Sequence, residues 1–293
     1  MPKLSVGMPV YNGEADIHEA VNSVLSQTFT DFELIISDNA STDSTQVICE
    51  EYARKDSRVR YIRNDVNIGA SDNYNAVVYK AEGQYFKWAS SNDYCMPTFF
   101  EKCIEVLDNN QDVVVCYPRA KLFRHVIEDG EEYVDGLTLS GDSACERLKV
   151  FFEAIQLNNV MNGLIRTEML KKTSLIKVYF SSDTVMMGEL SLYGKYVEIP
   201  EYLFYRRMDE ATATKLKSSE EVIKHYLPEG KSHMLLQNWK MHFGYVAAVF
   251  RAPIPFLERL CALRLVIKRM KWDRIELFNE VVFAIKIKFG SKS

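Results

Sequence analysis

The chain predicts an α/β fold, a mostly parallel sheet with helices on both faces, followed by a basic, amphipathic helical tail. Three observations carry this reading. Short apolar runs rich in Val, Ile and aromatic residues alternate with stretches of helical periodicity over residues 4–118. Each apolar run gives way to a polar loop, and a parallel sheet gathers such loops at the carboxyl edge of its strands. Beyond "RAPIP" (251–255) the composition turns basic: residues 251–293 hold ten Lys or Arg against four acids, +6 there and −10 on the rest.

Taken in order, "LSVGMPV" (4–10) is a buried strand and "EADIHEAVNSVLSQ" (14–27) has apolar residues at helical spacing. "FELIIS" (32–37) is a second strand, "STQVICEEYARKD" (44–56) a second helix, and "VRYIRN" (59–64) a third strand. A helix over 71–82 and the strand "QYFKWAS" (84–90) continue the series, and Pro97 opens another helix. After the strand "DVVVCYP" (112–118), "FRHVIEDGEEYVDGLTLSGD" (123–142) reads as an exposed hairpin. "ACERLKVFFEAIQL" and "TEMLKKTSL" are helical, a helix opens at Asp183, and "KYVEIP" and "YLFYRR" are strand-like. The expected division is 1–118, 119–215 and a helical extension over 216–293.

At 293 residues the chain suits one large domain with an appendage. A 26% charged, 47% hydrophobic composition with net charge −4 is that of a globular protein and implies no nucleic-acid partner. Six scattered cysteines, with no CxxC pair and no His at ligand spacing, indicate neither a zinc site nor a disulfide framework, which fits a reducing cytosol. The N-terminus enters "KLSVGMPVYN" without a charged-then-apolar leader and no apolar stretch reaches bilayer length, so a cytoplasmic location is expected. The five histidines do not cluster, and none is assigned a role.

The chemistry lies in the loops. At the first strand end Pro9, Tyr11 and Asn12 precede a helix whose free amides suit an anionic or planar group, with Tyr11 able to stack on a base; an ordinary strand-to-helix turn explains the same residues. At the second, Asp43 or Ser44 caps the next helix, which leaves Asp38 unexplained: a carboxylate at the mouth of a parallel sheet is placed to accept a base N–H. "SSND" (90–93) ends the fourth strand with a single acid, Asp93.

These stretches, "SVGMPVYNGEADIHEAVNSVLSQTFTDFELIISDNASTDST", "NIGASDNYN" and "AEGQYFKWASSND" followed by Pro97, resemble in order and spacing the nucleotide-sugar-binding half of family 2 glycosyltransferases of the GT-A fold, a Rossmann-like architecture. The likeness covers residues 3–118 well and 145–210 more loosely. It implies transfer of a sugar from a nucleoside diphosphate donor, with inversion, to a carbohydrate or lipid-linked acceptor hydroxyl, in polysaccharide or glycoconjugate synthesis. It also implies a base-contacting pair, Tyr11 and Asp38, donor contacts from Asn67 and Gly69, and an acceptor-activating Asp in the second half.

The resemblance further implies Mn²⁺ or Mg²⁺ held against the diphosphate by an acidic cluster at the fourth strand end. Here the usual metal carboxylate falls on Asn92, whose amide coordinates without neutralising charge. Two outcomes stand open: Asp93 takes over, with Ser91 as the other polar group, or metal dependence is weakened. Where the family often carries a His after "YRR", this chain has Met208 and Asp209, and Asp209 offers a replacement ligand. Arg206 and Arg207 either pair with diphosphate oxygens or belong to a solvated loop. Asp183 is the candidate base, with simple helix capping as its alternative; Glu189 reads as an exposed or salt-bridged helix residue. "NNVMNGLIRTEML" (158–170) resembles the segment that shapes the acceptor pocket, although its Asn residues also suit turns. A non-catalytic nucleotide-sugar-binding or scaffolding protein that lost its metal is the competing class.

The tail interleaves Phe256, Leu257, Leu260, Trp272, Ile275 and Phe278 with basic residues, the mixture of a helix lying on an anionic membrane face. The same stripe also suits packing on the catalytic body or a homodimer helix.

Overall fold

The computed structural model describes residues 1–208 and 235–290. The seven-residue runs β1 (Leu4–Val10) and β2 (Phe32–Asp38) are buried along their whole length, as strands covered on both faces must be. With β3 (Val59–Arg63) and β4 (Tyr85–Trp88) they form the parallel half of the sheet, and α1 (Ile17–Leu25), α2 (Thr45–Lys55) and α3 (Ala70–Lys80) make the crossovers. The chain continues through β5 (Tyr94–Cys95), α4 (Phe99–Asn109), β6 (Val113–Phe123), β7 (Glu131–Tyr133), α5 (Ala144–Ala154), β8 (Leu164–Arg166), α6 (Thr167–Lys172), α7 (Ser182–Tyr193) and β9 (Lys195–Arg207). The sheet order is β3-β2-β1-β4-β8-β6-β9-β5, with β7 beside β6. β3, β2, β1, β4, β6 and β9 point one way; β8, β7 and β5 run against them, so the sheet is mostly parallel.

Alternation along the strands feeds two cores. Leu4, Val6, Met8 and Val10 meet α1 and α4 through Ile17, Val21, Phe99 and Phe100. Ile35, Phe86 and Trp88 meet α3, α5 and α7 on the other face through Val77, Phe151 and Met187. Gly7 lets α3 sit close to β1, because a Cβ there would lie 2.6 Å from Val77 Cγ2. A third cluster joins the body to α8 (Gln237–Arg251) and α9 (Phe256–Trp272): Leu148, Val185 and Leu192 pack with Tyr245, Val249, Ala262 and Val266. The last helix, α10 (Arg274–Gly290), lies against α8. No helix among the described residues is long and apolar enough to cross a membrane.

Three expectations need correction. The 123–142 segment does form a hairpin, Ala120 pairing with Tyr133, but it is not exposed throughout: the chain then turns inward, buries Leu137 and Leu139 in the second core and bridges Leu139 to Tyr196. Of the two readings of Glu189, exposed or salt-bridged, the exposed one falls and the salt-bridged one holds: it is fully buried and accepts from Arg251 at 3.1 Å and from the Ser174 amide at 3.1 Å, tying α7 to the end of α8. The cysteines do hold a disulfide, Cys145 to Cys261, across a sequence separation of 116. No local spacing reveals such a pair, because it exists only once α5 and α9 pack and bring the two Cα atoms to 5.9 Å. The cysteine argument for a reducing compartment falls with it.

Candidate active site

The carboxyl ends of β1 and β2 lie in register, Val10 opposite Asp38. Pro9 stays inside β1, buried opposite Ser37. Beyond it Tyr11 stands 49% exposed, and Asn12 takes a left-handed backbone, φ 51°, that short polar side chains tolerate. That turn stitches the first loop to the second. The Asn12 amide donates to Ser41 Oγ at 2.9 Å, Asn12 Oδ1 accepts from the Thr42 amide at 2.8 Å, and the Gly13 amide donates to Thr45 Oγ1 at 2.8 Å. The Glu14 carboxylate accepts from the Ser44 amide at 2.9 Å.

Asp38 is wholly buried. Its Oδ1 accepts from the Ser41 amide at 2.8 Å, and its Oδ2 accepts from the Tyr61 hydroxyl at 2.8 Å and from Arg63 Nη1. Burial first, and then the neighbouring Asp38 charge, push the Tyr61 phenol well up, which keeps it a donor. The sequence pointed to Asp38 and missed Tyr61 and Arg63, which face it only through the β2–β3 register, where Asp38 lies opposite Arg63. Arg63, exposed over about a third of its side chain, is the polar group this network presents outward.

Behind these loops lies an asparagine net. Asn39 donates to Asn67 Oδ1 at 2.8 Å and accepts from the Ile68 amide at 2.9 Å, while Asn64 bridges Asn39 and Asn73. Asn67 Oδ1 also accepts from the Gly69 amide at 2.9 Å, and Gly69 opens α3 at φ 87°, a conformation other residues resist. Asn67 and Gly69 therefore shape the third loop.

At the fourth strand end the Ser90 hydroxyl donates to Asn92 Oδ1 at 2.6 Å, and Ser91 lies against Gly13. Asp93 Oδ1 accepts from the Arg207 amide at 2.9 Å. Burial pushes the Asp93 carboxyl up to about 6, although that amide and the cations Arg206, Lys87 and Arg207 pull the other way. Lys87 is entirely buried. It donates to the carbonyls of Trp88 at 3.0 Å and Asn162 at 2.6 Å, and burial lowers its pKa. Arg207 packs on Phe123, donates to the Asn92 carbonyl and ion-pairs with Asp16 at 3.1 Å, so it fastens β9 to the start of α1.

A divalent cation held against a diphosphate takes one or two protein carboxylates and completes its shell with phosphate oxygens, carbonyls and water. Among the described residues no group of three His, Cys, Asp or Glu would hold one. The single carboxylate here is bonded to an amide and ringed by cations, and the Asn92 oxygen is taken by Ser90. The described residues thus offer a divalent ion one carboxylate, Asp93, and one amide oxygen, Asn92, and no chemical step is routed through such an ion; Asp209 lies outside the described residues.

Asp183 sits in the first turn of α7, but Ser181 occupies the cap position and makes no side-chain cap. The Asp183 Oδ2 instead accepts from Asn158 Nδ2 at 2.7 Å. Asn158 holds a left-handed backbone, φ 54°, and its neighbour Asn159 accepts from Arg206 Nη1 at 2.6 Å, an arginine that also donates to the Leu157 carbonyl at 2.8 Å. Asp135 joins the group, its carboxyl pushed up to about 6 by burial. Asn158 Oδ1, Asn159 Nδ2 and Asp135 Oδ2 are buried without a protein partner. Sequence reasoning likened this segment to the one that shapes the acceptor pocket, with turn formation as the alternative for its asparagines, and did not single out Asp135; adjacent amides before an apolar run were the one available signal. Hydrogen bonds thus tie Arg206 to Asn159 and the neighbouring Asn158 to Asp183, and the Arg206 charge acts on Asp93.

The family model for glycosyl transferase family 2 matches residues 5–172. The chain belongs to that family and is a glycosyltransferase enzyme. It is 26% identical over 258 residues to the uncharacterized glycosyltransferase EpsJ of Bacillus subtilis (strain 168), covering 85% of this chain and 72% of the relative. In fold it is similar to S. aureus TarS 1–349, solved in complex with UDP, at a TM-score of 0.67 and 18% identity over 92% of this chain and 71% of that one. It is also similar to the mannosyltransferase PcManGT of Pyrobaculum calidifontis, solved with GDP-Man and Mn²⁺, at a TM-score of 0.55 and 13% identity, covering 100% and 88%.

Proposed function

We propose that this glycosyltransferase moves a sugar from a nucleoside diphosphate, a uridine one in the first instance, to an acceptor hydroxyl with inversion, in polysaccharide or glycoconjugate synthesis. The observation that carries the reading is the 2.7 Å hydrogen bond by which Asn158 orients the Asp183 carboxylate. A carboxylate fixed by that bond in the first turn of α7 is placed to take a proton. The acceptor O–H gives its proton to Asp183 as its oxygen bonds to the anomeric carbon. The bond from that carbon to the donor diphosphate breaks, and the electron pair leaves on the diphosphate. A single in-line displacement inverts the centre. Arg206, bonded to the Asn158–Asn159 turn and acting electrostatically on Asp93, is the cation assigned to charge growing on the leaving group. The half-exposed Tyr11 ring and the Asp38–Arg63 pair form the nucleobase side. Relatives solved with UDP and with GDP-Man support the donor class.

Asp183→Asn tests the assignment, because the amide keeps the shape and accepts no proton. Transfer is expected to fall by about 10²- to 10⁴-fold, with donor affinity by calorimetry unchanged. Retention of more than about a tenth of the activity would remove Asp183 from the role of base.

A further inference from the structure

We propose that the outward faces of the last three helices form a docking surface for an anionic lipid bilayer, set beside the acceptor side of the active site. The helices are firmly seated on the body, so the surface is a built one. Ala262 and Val266 of α9 are buried against Tyr245 and Val249, Cys261 is bonded to Cys145, and Glu258 accepts from Ser143 Oγ and the Cys145 amide, both at 2.8 Å. Trp239 Nε1 donates to the Leu277 carbonyl at 3.0 Å, which holds α10 to α8.

The opposite faces remain apolar. Leu257 is 77% exposed, Phe256 68%, Phe278 67% and Trp272 66%. Among the described residues, twelve of the 21 exposed large hydrophobics lie from Phe243 onward, far more than isolated surface residues account for. Charge sorts the same way. Glu258 caps α5, Asp273 accepts from His242 at 3.0 Å and Glu280 accepts from the Asn238 amide at 2.9 Å, so three of the four acids of residues 251–293 are turned inward. Arg264, Lys268, Lys271, Arg274 and Lys286 are exposed, with Glu276 the one exposed acid of the described tail. Lys268 Nζ lies 4.9 Å from the centre of the Trp272 ring.

Lysine interleaved with aromatics fits a headgroup boundary, where stems and rings sit in the apolar layer and cations meet phosphate. It fits a protein partner poorly, because interface cores are depleted of Lys. The helices that carry this surface also touch the segment leading to the proposed base: the buried Gln237 of α8 accepts from the Phe180 amide at 3.0 Å, three residues before Asp183. A lipid-linked acceptor hydroxyl would reach the base from that side. That last step rests on the proposed function, whereas bilayer docking does not.

The full chain is tested by co-sedimentation with neutral phosphatidylcholine vesicles and with vesicles containing about a third phosphatidylglycerol, at low salt, beside Trp272→Ser/Phe278→Ser and Lys268→Glu/Lys271→Glu. All four positions are exposed, so circular dichroism is expected to be unchanged and transfer to a soluble acceptor retained. The native chain is expected to partition at least tenfold better onto anionic vesicles. The apolar double variant is expected to lose about tenfold, and the charge-reversed one more, at about fivefold per basic residue. Equal partitioning of the native and variant chains overturns the proposal. So does a concentration-dependent dimer in sedimentation velocity that the same substitutions dissolve while no form binds vesicles. Loss of soluble transfer in Asp183→Asn with vesicle binding intact separates this surface from the assignment of the base.

Discussion

The loops on the two sides of the active site are built differently. On the donor side, the loops after β1, β2 and β3 bond one another: Asn12 to Thr42, Gly13 to Thr45, Asn39 to Asn67, and Asp38 to Tyr61 and Arg63. On the proposed acceptor side Asn158, Asn159 and Asp135 each keep one buried polar atom without a protein partner. Left-handed residues do not separate the two, since Asn12 and Ala40 stand on one side and Asn158 and Ser181 on the other. Unmade hydrogen bonds cost free energy that a stable fold tolerates where a ligand or water recovers it. The loops after β1 to β3 are therefore bonded into place, whereas the group around Asn158 keeps polar atoms open to a ligand or water.

This contrast breaks if substitutions on the two sides behave alike. The largest effect is expected for Asp38→Ala, which strands the Tyr61 hydroxyl and loosens Arg63. Urea unfolding is expected to show a loss of about 3 kcal/mol, together with weaker donor binding by calorimetry. A fall in affinity at unchanged stability would mean that Asp38 serves the ligand alone. Next comes Asn158→Ala, which frees Asp183. A roughly tenfold drop in kcat is expected, stability shifting by less than about 1 kcal/mol because one partner atom is already unsatisfied.

The smallest effect concerns Asp135. Burial raises its folded pKa from 3.8 to about 6, so the folded state holds a proton the unfolded state has released. The stability this supplies is complete below about 3.8 and is lost as the pH rises through about 6. Asp135→Asn should match the native chain in acid and exceed it at pH 7 by about 1–2 kcal/mol, measured by urea unfolding across that window. Equal pH dependence of the two chains would show that the Asp135 carboxyl is solvated.

Much of this molecule was legible from residue order alone. Period-two and period-3.6 patterns report which face of an element is apolar, and that placed β1 to β4 and their crossovers within a few residues of where they lie. Parallel strands separated by crossovers put successive loops on one edge, so Tyr11, Asp38 and Asp93 were named together before any contact was known. Asp183 was named because the family resemblance places an acid at the start of a helix there. Contacts between distant elements escaped the same reasoning, because periodicity carries no information about what an exposed or buried face meets. Register across β2 and β3 decided that Asp38 would be bonded to Arg63. The left-handed turn at Asn158, and not helix capping, decided what holds Asp183. Packing of α5 against α9 joined Cys145 to Cys261, and the inward turn of Glu258, Asp273 and Glu280 decided that the outer face of a tail already seen to be basic would show cations almost alone. Sequence determines the local pattern because each residue's preference acts over one or two turns of chain; only tertiary packing brings together groups whose separation along the chain is large, and the site's chemistry is made of those meetings.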